Sequence, residues 1–202
     1  AEQNIPEVNL SKAEVKMTET APILSLTNAP MENGTITYVS DEETVATIDA
    51  NGIITLVGAG DVKITVTYGE TENYSAKTAE VSLKVVRDIL KVEDFTVNNT
   101  TAIYDGTVKT VTVTPNVDGI GTHSVKYYQG ETEVTEPKNA GTYTVKVEVA
   151  QGIKYEAATL ELGTLTINKA EPNAGNLEYD LTSKTYTGKV QPVEVKVREG
   201  LE

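Results

Sequence analysis

One stretch constrains this chain more than any other, and it occurs twice. Asn139-Ala140-Gly141-Thr142-Tyr143-Thr144-Val145-Lys146-Val147 alternates apolar and polar residues behind an Ala-Gly pair. Gly58-Ala59-Gly60-Asp61-Val62-Lys63-Ile64-Thr65-Val66 does the same. In each case a tyrosine follows the glycine by fourteen positions (Tyr155 after Gly141, Tyr74 after Gly60), and a further alternating run closes at Ile167 or Val85. A period of two sends one face of a strand to a core and the other to water. A strand, a connection and a second strand, used twice, predict two related β domains in 202 residues.

Composition narrows the classes. With no Trp and one Phe, the cores must come from Val, Ile, Leu, Ala and Tyr. A net charge of −13 argues against nucleic acid, which requires clustered Lys and Arg, and against anionic lipid. The chain has no cysteine, so disulfides, thiolate metal sites and Cys nucleophiles are excluded. No apolar run approaches the roughly 20 residues that span a bilayer. No signal peptide is legible from Ala1 on, and a secreted protein is expected to have lost one.

Three units are predicted. The first runs from 1 to 87 and contains Asn51-Gly52 between two alternating runs, a strong hairpin signal because both residues tolerate positive φ. Its polar turn, Val45-Ala46-Thr47-Ile48 strand, Asn51-Gly52 hairpin and Gly58-Ala59-Gly60 together resemble the group 2 bacterial immunoglobulin-like domain over residues 35 to 86. The second runs from 88 to 169. Its Tyr104-Asp105-Gly106 turn, Asn139-Ala140-Gly141-Thr142-Tyr143 strand start and closing Leu165-Thr166-Ile167-Asn168-Lys169-Ala170 resemble the MBG or YDG type of immunoglobulin-like repeat. Residues 170 to 202 read as the truncated start of another such repeat. At an offset of 82, Leu177 falls on Phe95, Tyr186 on Tyr104, Gly188 on Gly106, Val190 on Val108, Val193 on Val111 and Val195 on Val113. Thr187 and Pro192 depart from Asp105 and Thr110. The native protein is expected to continue past Gly200 to complete this unit. If the stub forms strand, Val193, Val195 and Val197 should share one face and Glu194, Lys196 and Arg198 the other.

The resemblances imply an all-β protein of tandem immunoglobulin-like β-sandwiches from a bacterial surface or secreted protein. The residues singled out are structural: Gly60, Gly141, Asn51, Gly52, Tyr104, Gly106 and Tyr143. The segment 139–145 resembles the immunoglobulin strand start that carries a tyrosine corner, with Val145 in the place of the core cysteine. On that reading Tyr143 buries its ring and returns its hydroxyl to nearby backbone, while Val62 holds this place in the first unit. His123, the single histidine, lies beside Ser124, but strand neighbours point to opposite faces, so it reads as an ordinary strand residue. Asp41-Glu42-Glu43 lacks the alternating ligands of a calcium loop and reads as a solvated turn. Asn33-Gly34-Thr35 and Asn73-Tyr74-Ser75 match a glycosylation acceptor and are read as turns. Tyr127 and Tyr128 are the candidate ligand contacts, one ring inward and one outward.

No constellation supports an enzyme, and no cofactor or metal is implied. A non-catalytic spacer is the first expectation and an adhesive or carbohydrate-binding module the second, with a host or cell-surface glycan or protein as partner. The chain is expected to be monomeric, to insert nothing into a membrane and to bind no nucleic acid.

Overall fold

The computed structural model describes residues 2–171, 177–179, 185, 187–190 and 195–197. The chain divides into two compact units. The first holds the residues up to 94 together with 116–124 and 148–159. The second holds 95–115, 125–147 and the residues from 160 on.

The first unit opens with β1 (Glu7–Leu10), β2 (Glu14–Lys16) and β3 (Leu24–Thr27), then β4 (Ile36–Ser40), β5 (Ala46–Ile48), β6 (Ile54–Leu56), β7 (Gly60–Tyr68) and β8 (Lys77–Val86). β1 and β3 pair antiparallel, with Val8 opposite Leu26 and Leu10 opposite Leu24. β2 leaves that ribbon and joins a four-stranded sheet of order β2-β8-β7-β4, in which it lies parallel to β8. The opening residues thus form two strands in different sheets. The change of sheet lets Val8 and Leu10 cover one side of a core and Val15 and Met17 another. β7 supplies the centre of that core: Val62, Ile64, Val66 and Tyr68 are all buried, at every second position of the strand. Each such burial is worth about 1.5–3 kcal/mol against exposure.

β5 and β6 form a hairpin, and its connection differs from the expected two-residue Asn-Gly turn. Ile48 pairs with Ile54, the Asp49 N–H donates to the Ile53 carbonyl and the Gly52 N–H donates to the Asp49 carbonyl. The loop is therefore Ala50-Asn51-Gly52, a turn closed by one left-handed residue. Gly52 has φ +78°, whereas Asn51 is not in the positive-φ region. The Asp49 carboxylate is the cause: it accepts the N–H groups of Asn51 and Ile53, both at 2.8 Å. Those bonds to its charged form hold its carboxyl below the ordinary range, the Ile53 N–H contributing most.

The remaining strands are β9 (Phe95–Asn98), β10 (Thr101–Ile103), β11 (Thr112–Pro115), β12 (His123–Gln129), β13 (Thr132–Glu133), β14 (Gly141–Val149) and β15 (Ala158–Asn168). β9 and β11 form an antiparallel ribbon, and a five-stranded sheet runs in the order β10-β15-β14-β12-β13. β10 lies parallel to β15 as β2 does to β8, so both sets of strands share one topology: a ribbon, then an early strand parallel to the last. The core of the second unit gathers Val111, Tyr127, Tyr143, Val145, Leu165 and Ile167. The two Ala-Gly strand starts also agree in backbone, with φ +156° at Gly60 and +157° at Gly141. That region is close to glycine-only, and a Cβ at Gly60 would meet the Val45 side chain at 2.6 Å.

Last come β16 (Leu177–Tyr179) and β17 (Val195–Val197), paired antiparallel with Leu177 opposite Val197 and Tyr179 opposite Val195. At the offset of 82, this is the register of β9 with β11, where Phe95 faces Pro115 and Val97 faces Val113. Gly188 has φ +74° where Gly106 has +79°. Tyr186, Pro192, Val193, Glu194 and Arg198 lie outside the described residues. Helix is confined, among the described residues, to two 3-10 turns at Met31–Asn33 and Val92–Asp94.

Candidate functional site

The most heavily bonded place in the first unit surrounds Asp88, just past the end of β8. Its backbone is clamped by the loop between β14 and β15: the Asp88 N–H donates to the Lys154 carbonyl at 2.8 Å, and the Glu156 N–H donates to the Asp88 carbonyl at 2.9 Å. Its carboxylate reaches back towards β2, accepting from Lys16 Nζ at 2.7 Å and from Thr18 Oγ1 at 2.8 Å. Next to it, Arg87 Nε donates to the Gly152 carbonyl at 2.9 Å. The loop is itself tightly built. A Cβ at Gly152 would lie 2.3 Å from the Gly119 carbonyl oxygen, and one at Gly121 would lie 2.3 Å from that of Ala150.

The Lys16 and Thr18 hydrogen bonds draw the Asp88 carboxyl down from 3.8 to about 2. A depressed carboxyl contributes stability that is fully present above its unfolded value and is lost as pH falls through the folded one. The contribution is about 2 kcal/mol before screening of its half-exposed lysine partner. Asp88→Asn is therefore expected to lower the melting temperature at pH 6, and the gap to the parent should close between pH 4 and pH 2. A gap of constant size across that range would show that the ionised pair contributes nothing.

In the second unit, Tyr143 is buried at 2% exposure and its hydroxyl donates to the Asn139 carbonyl at 2.8 Å. Tyr104 is half-buried against the same core, and its N–H donates to the Asn168 carbonyl. Asp105 accepts the Thr107 N–H at 2.9 Å and Lys109 Nζ at 2.6 Å, which hold its carboxyl well below the usual carboxylate range, the lysine contributing most. Gly106 follows it in the left-handed region.

Tyr127 and Tyr128 divide as their alternation requires, and this corrects the ligand reading for one of them. Tyr127 is buried and its hydroxyl accepts the Val111 N–H at 2.9 Å, so its ring is core. Tyr128 stays half-exposed, with Lys146 Nζ 5.0 Å from its ring centroid. At that distance the cation is within reach of the ring quadrupole. His123 is exposed on β12 and lines, with Thr122, Ser124 and Glu148, an open depression of about 560 Å³. Asp41, Glu42 and Glu43 are exposed, and two of them are spent locally: Asp41 Oδ1 accepts the Lys63 N–H, and Glu42 Oε1 accepts Thr44 Oγ1. Among the described residues no group of three or more His, Asp or Glu could hold a metal ion, and no helix is long and apolar enough to cross a membrane. The Asp88 junction carries no signature in sequence, since its partners at 16, 18, 154 and 156 meet only through the fold.

Residues 32–70, from before β4 to the end of β7, match the family model of the intimin immunoglobulin-like domain. Residues 94–171, spanning β9 to β15, match that of the MBG domain. Two segments of this chain match bacterial immunoglobulin-like repeats. The family matching the first is the intimin type, where the sequence motifs suggested group 2. No curated protein matches. Among solved structures, the surface-layer protein SbsC (domains 1–6) aligns at 13% identity over 90% of this chain and 30% of that one, with a TM-score of 0.33. The chain thus spans under a third of that structure's length. The two repeat families point to a module of a bacterial surface protein, and such domains are in general non-catalytic.

Proposed function

We propose that this chain is a non-catalytic spacer, a run of immunoglobulin-like sandwiches in a cell-surface or secreted bacterial protein that holds other parts of that protein at a distance. On this reading the domains run from 1 to 87 and from 88 to 169, with a further repeat beginning at 170. The observation that carries it is the recurrence of one topology, and of one ribbon register between β9–β11 and β16–β17, along a single chain. Repetition of this kind supports an array, in which each unit adds length. The candidate site residues fit it: Tyr143, Tyr104, Gly60, Gly106 and Gly141 each serve a core, a turn or a strand start.

An adhesive module is the second reading, favoured by the half-exposed ring of Tyr128. A glycan array probed with the labelled chain separates the two. The spacer reading expects no glycan above background. A glycan retained in solution at micromolar concentration, and released by Tyr128→Ala without loss of melting temperature, would replace it with the adhesive one.

A further inference from the structure

We infer that the outer edge of β4 is a docking site for an extended segment of another protein, added as a further strand and basic at its ends. β4 closes one side of the four-stranded sheet and, among the described residues, is paired only with β7. The hydrogen bonds at its two ends, from the Gly69 N–H to the Thr35 carbonyl and from the Asp41 N–H to the Lys63 carbonyl, set the phase of the ladder. Alternation then turns the N–H and C=O groups of Ile36 and Tyr38 away from β7. That is a template for about four backbone hydrogen bonds with an incoming strand.

The same place in the five-stranded sheet is handled differently. There β12 occupies the position of β4, and β13 lies along its outer side, with Tyr128 opposite Glu133 and Gln129 opposite Thr132. Exposed edges are ordinarily blunted by lysine, proline or a bulge. β4 reads Ile36-Thr37-Tyr38-Val39-Ser40 and has no charge and no proline. Val39 is 59% exposed and Ile36 38%. One repeat caps this edge with a strand of its own, and in the other no strand among the described residues pairs with it.

Charge selects the occupant. Glu32 precedes the edge and Asp41, Glu42 and Glu43 follow it, all exposed. In an antiparallel pair of two copies centred on Tyr38, Glu32 of one would meet the acids after β4 of the other. The net charge of −13 adds repulsion over longer range. A strand with apolar or β-branched residues in the middle and Lys or Arg at its ends would instead meet opposite charge at both ends. This inference does not depend on the spacer reading, since a spacer and an adhesive module alike can take a strand at an edge.

The test uses the full chain and two capped heptapeptides, Lys-Thr-Val-Thr-Val-Thr-Lys and the same peptide with Glu at both ends, followed by amide NMR. The basic peptide is expected to slow hydrogen exchange at Ile36 and Tyr38 by about tenfold or more at saturation. The acidic peptide is expected to bind at least about tenfold more weakly. Ile36→Pro, which removes an outward donor, and Val39→Lys, which places a cation on the edge, should each abolish the protection while retaining the parent melting temperature. Val39→Lys keeps the test decisive if the proline variant does not fold. Protection absent at both residues, or unchanged by Val39→Lys, would overturn the inference. So would protection that rises with protein concentration without peptide, which would assign the edge to a second copy.

Discussion

Tyr143→Ala should cost about 3–5 kcal/mol, the usual range for deleting a buried aromatic ring. Besides Tyr143, the described core of the second unit has the buried ring of Tyr127 and the half-buried one of Tyr104 and is otherwise aliphatic, so little of comparable size is at hand to fill the space. The ring lies at 2% exposure among Val145, Leu165 and Ile167, and its hydroxyl donates to the Asn139 carbonyl just before the same strand. Tyr143→Phe separates the two contributions. It keeps the packing and leaves the Asn139 carbonyl short of one donor, at about 1 kcal/mol. Urea unfolding followed by far-ultraviolet circular dichroism measures both. An alanine variant within 1 kcal/mol of the parent would remove Tyr143 from any structural role.

Gly152→Ala is the second large effect, by the opposite mechanism. Here the problem is a methyl group too many: its Cβ would lie 2.3 Å from the Gly119 carbonyl oxygen, 2.4 Å from the Ile120 carbonyl carbon and 2.6 Å from the Gly121 nitrogen. All three are backbone atoms, so no side-chain rotation relieves the overlap. The loops 116–122 and 150–157 must move apart, at about 3 kcal/mol or more. That movement also disturbs the Gly152 carbonyl, which accepts from Arg87. Gly106→Ala is the control. Nothing lies within 4 Å of its Cβ, so only the strain of φ +79° remains, about 1 kcal/mol. Thermal melts of the two variants should rank in that order, and equal losses would mean that the close approach of the loops is readily relaxed.

Much of the fold was legible because its signals are local. Alternation located β7 and β14, and the recurring Ala-Gly marked two strand starts whose backbones agree to within a degree in φ. What escaped the sequence depends on partners far along the chain. Asn51-Gly52 reads as a two-residue turn until Asp49 is seen accepting two N–H groups and moving the turn back by one residue. Nothing in the spacing of Val8 and Val15 shows that the second leaves the first to pair with Val85. Tyr127 and Tyr128 could be assigned to opposite faces, but which face held the core required Val111 to be found at the Tyr127 hydroxyl. The Asp88 cluster was invisible for the same reason: Lys16 is 72 residues away.

The parallel pairing of β2 with β8, and of β10 with β15, has a mechanical consequence. Tension applied through the chain draws an early strand one way and a late strand the other. When those strands are parallel neighbours, they are made to slide past each other, and the rungs between Val15 and Val85 and beside them share the load at once. A hairpin such as β5–β6, pulled from its open end, yields one rung after another. Three residues of parallel ladder in each sandwich, 14–16 against 84–86 and 101–103 against 166–168, are thus where resistance to stretching concentrates.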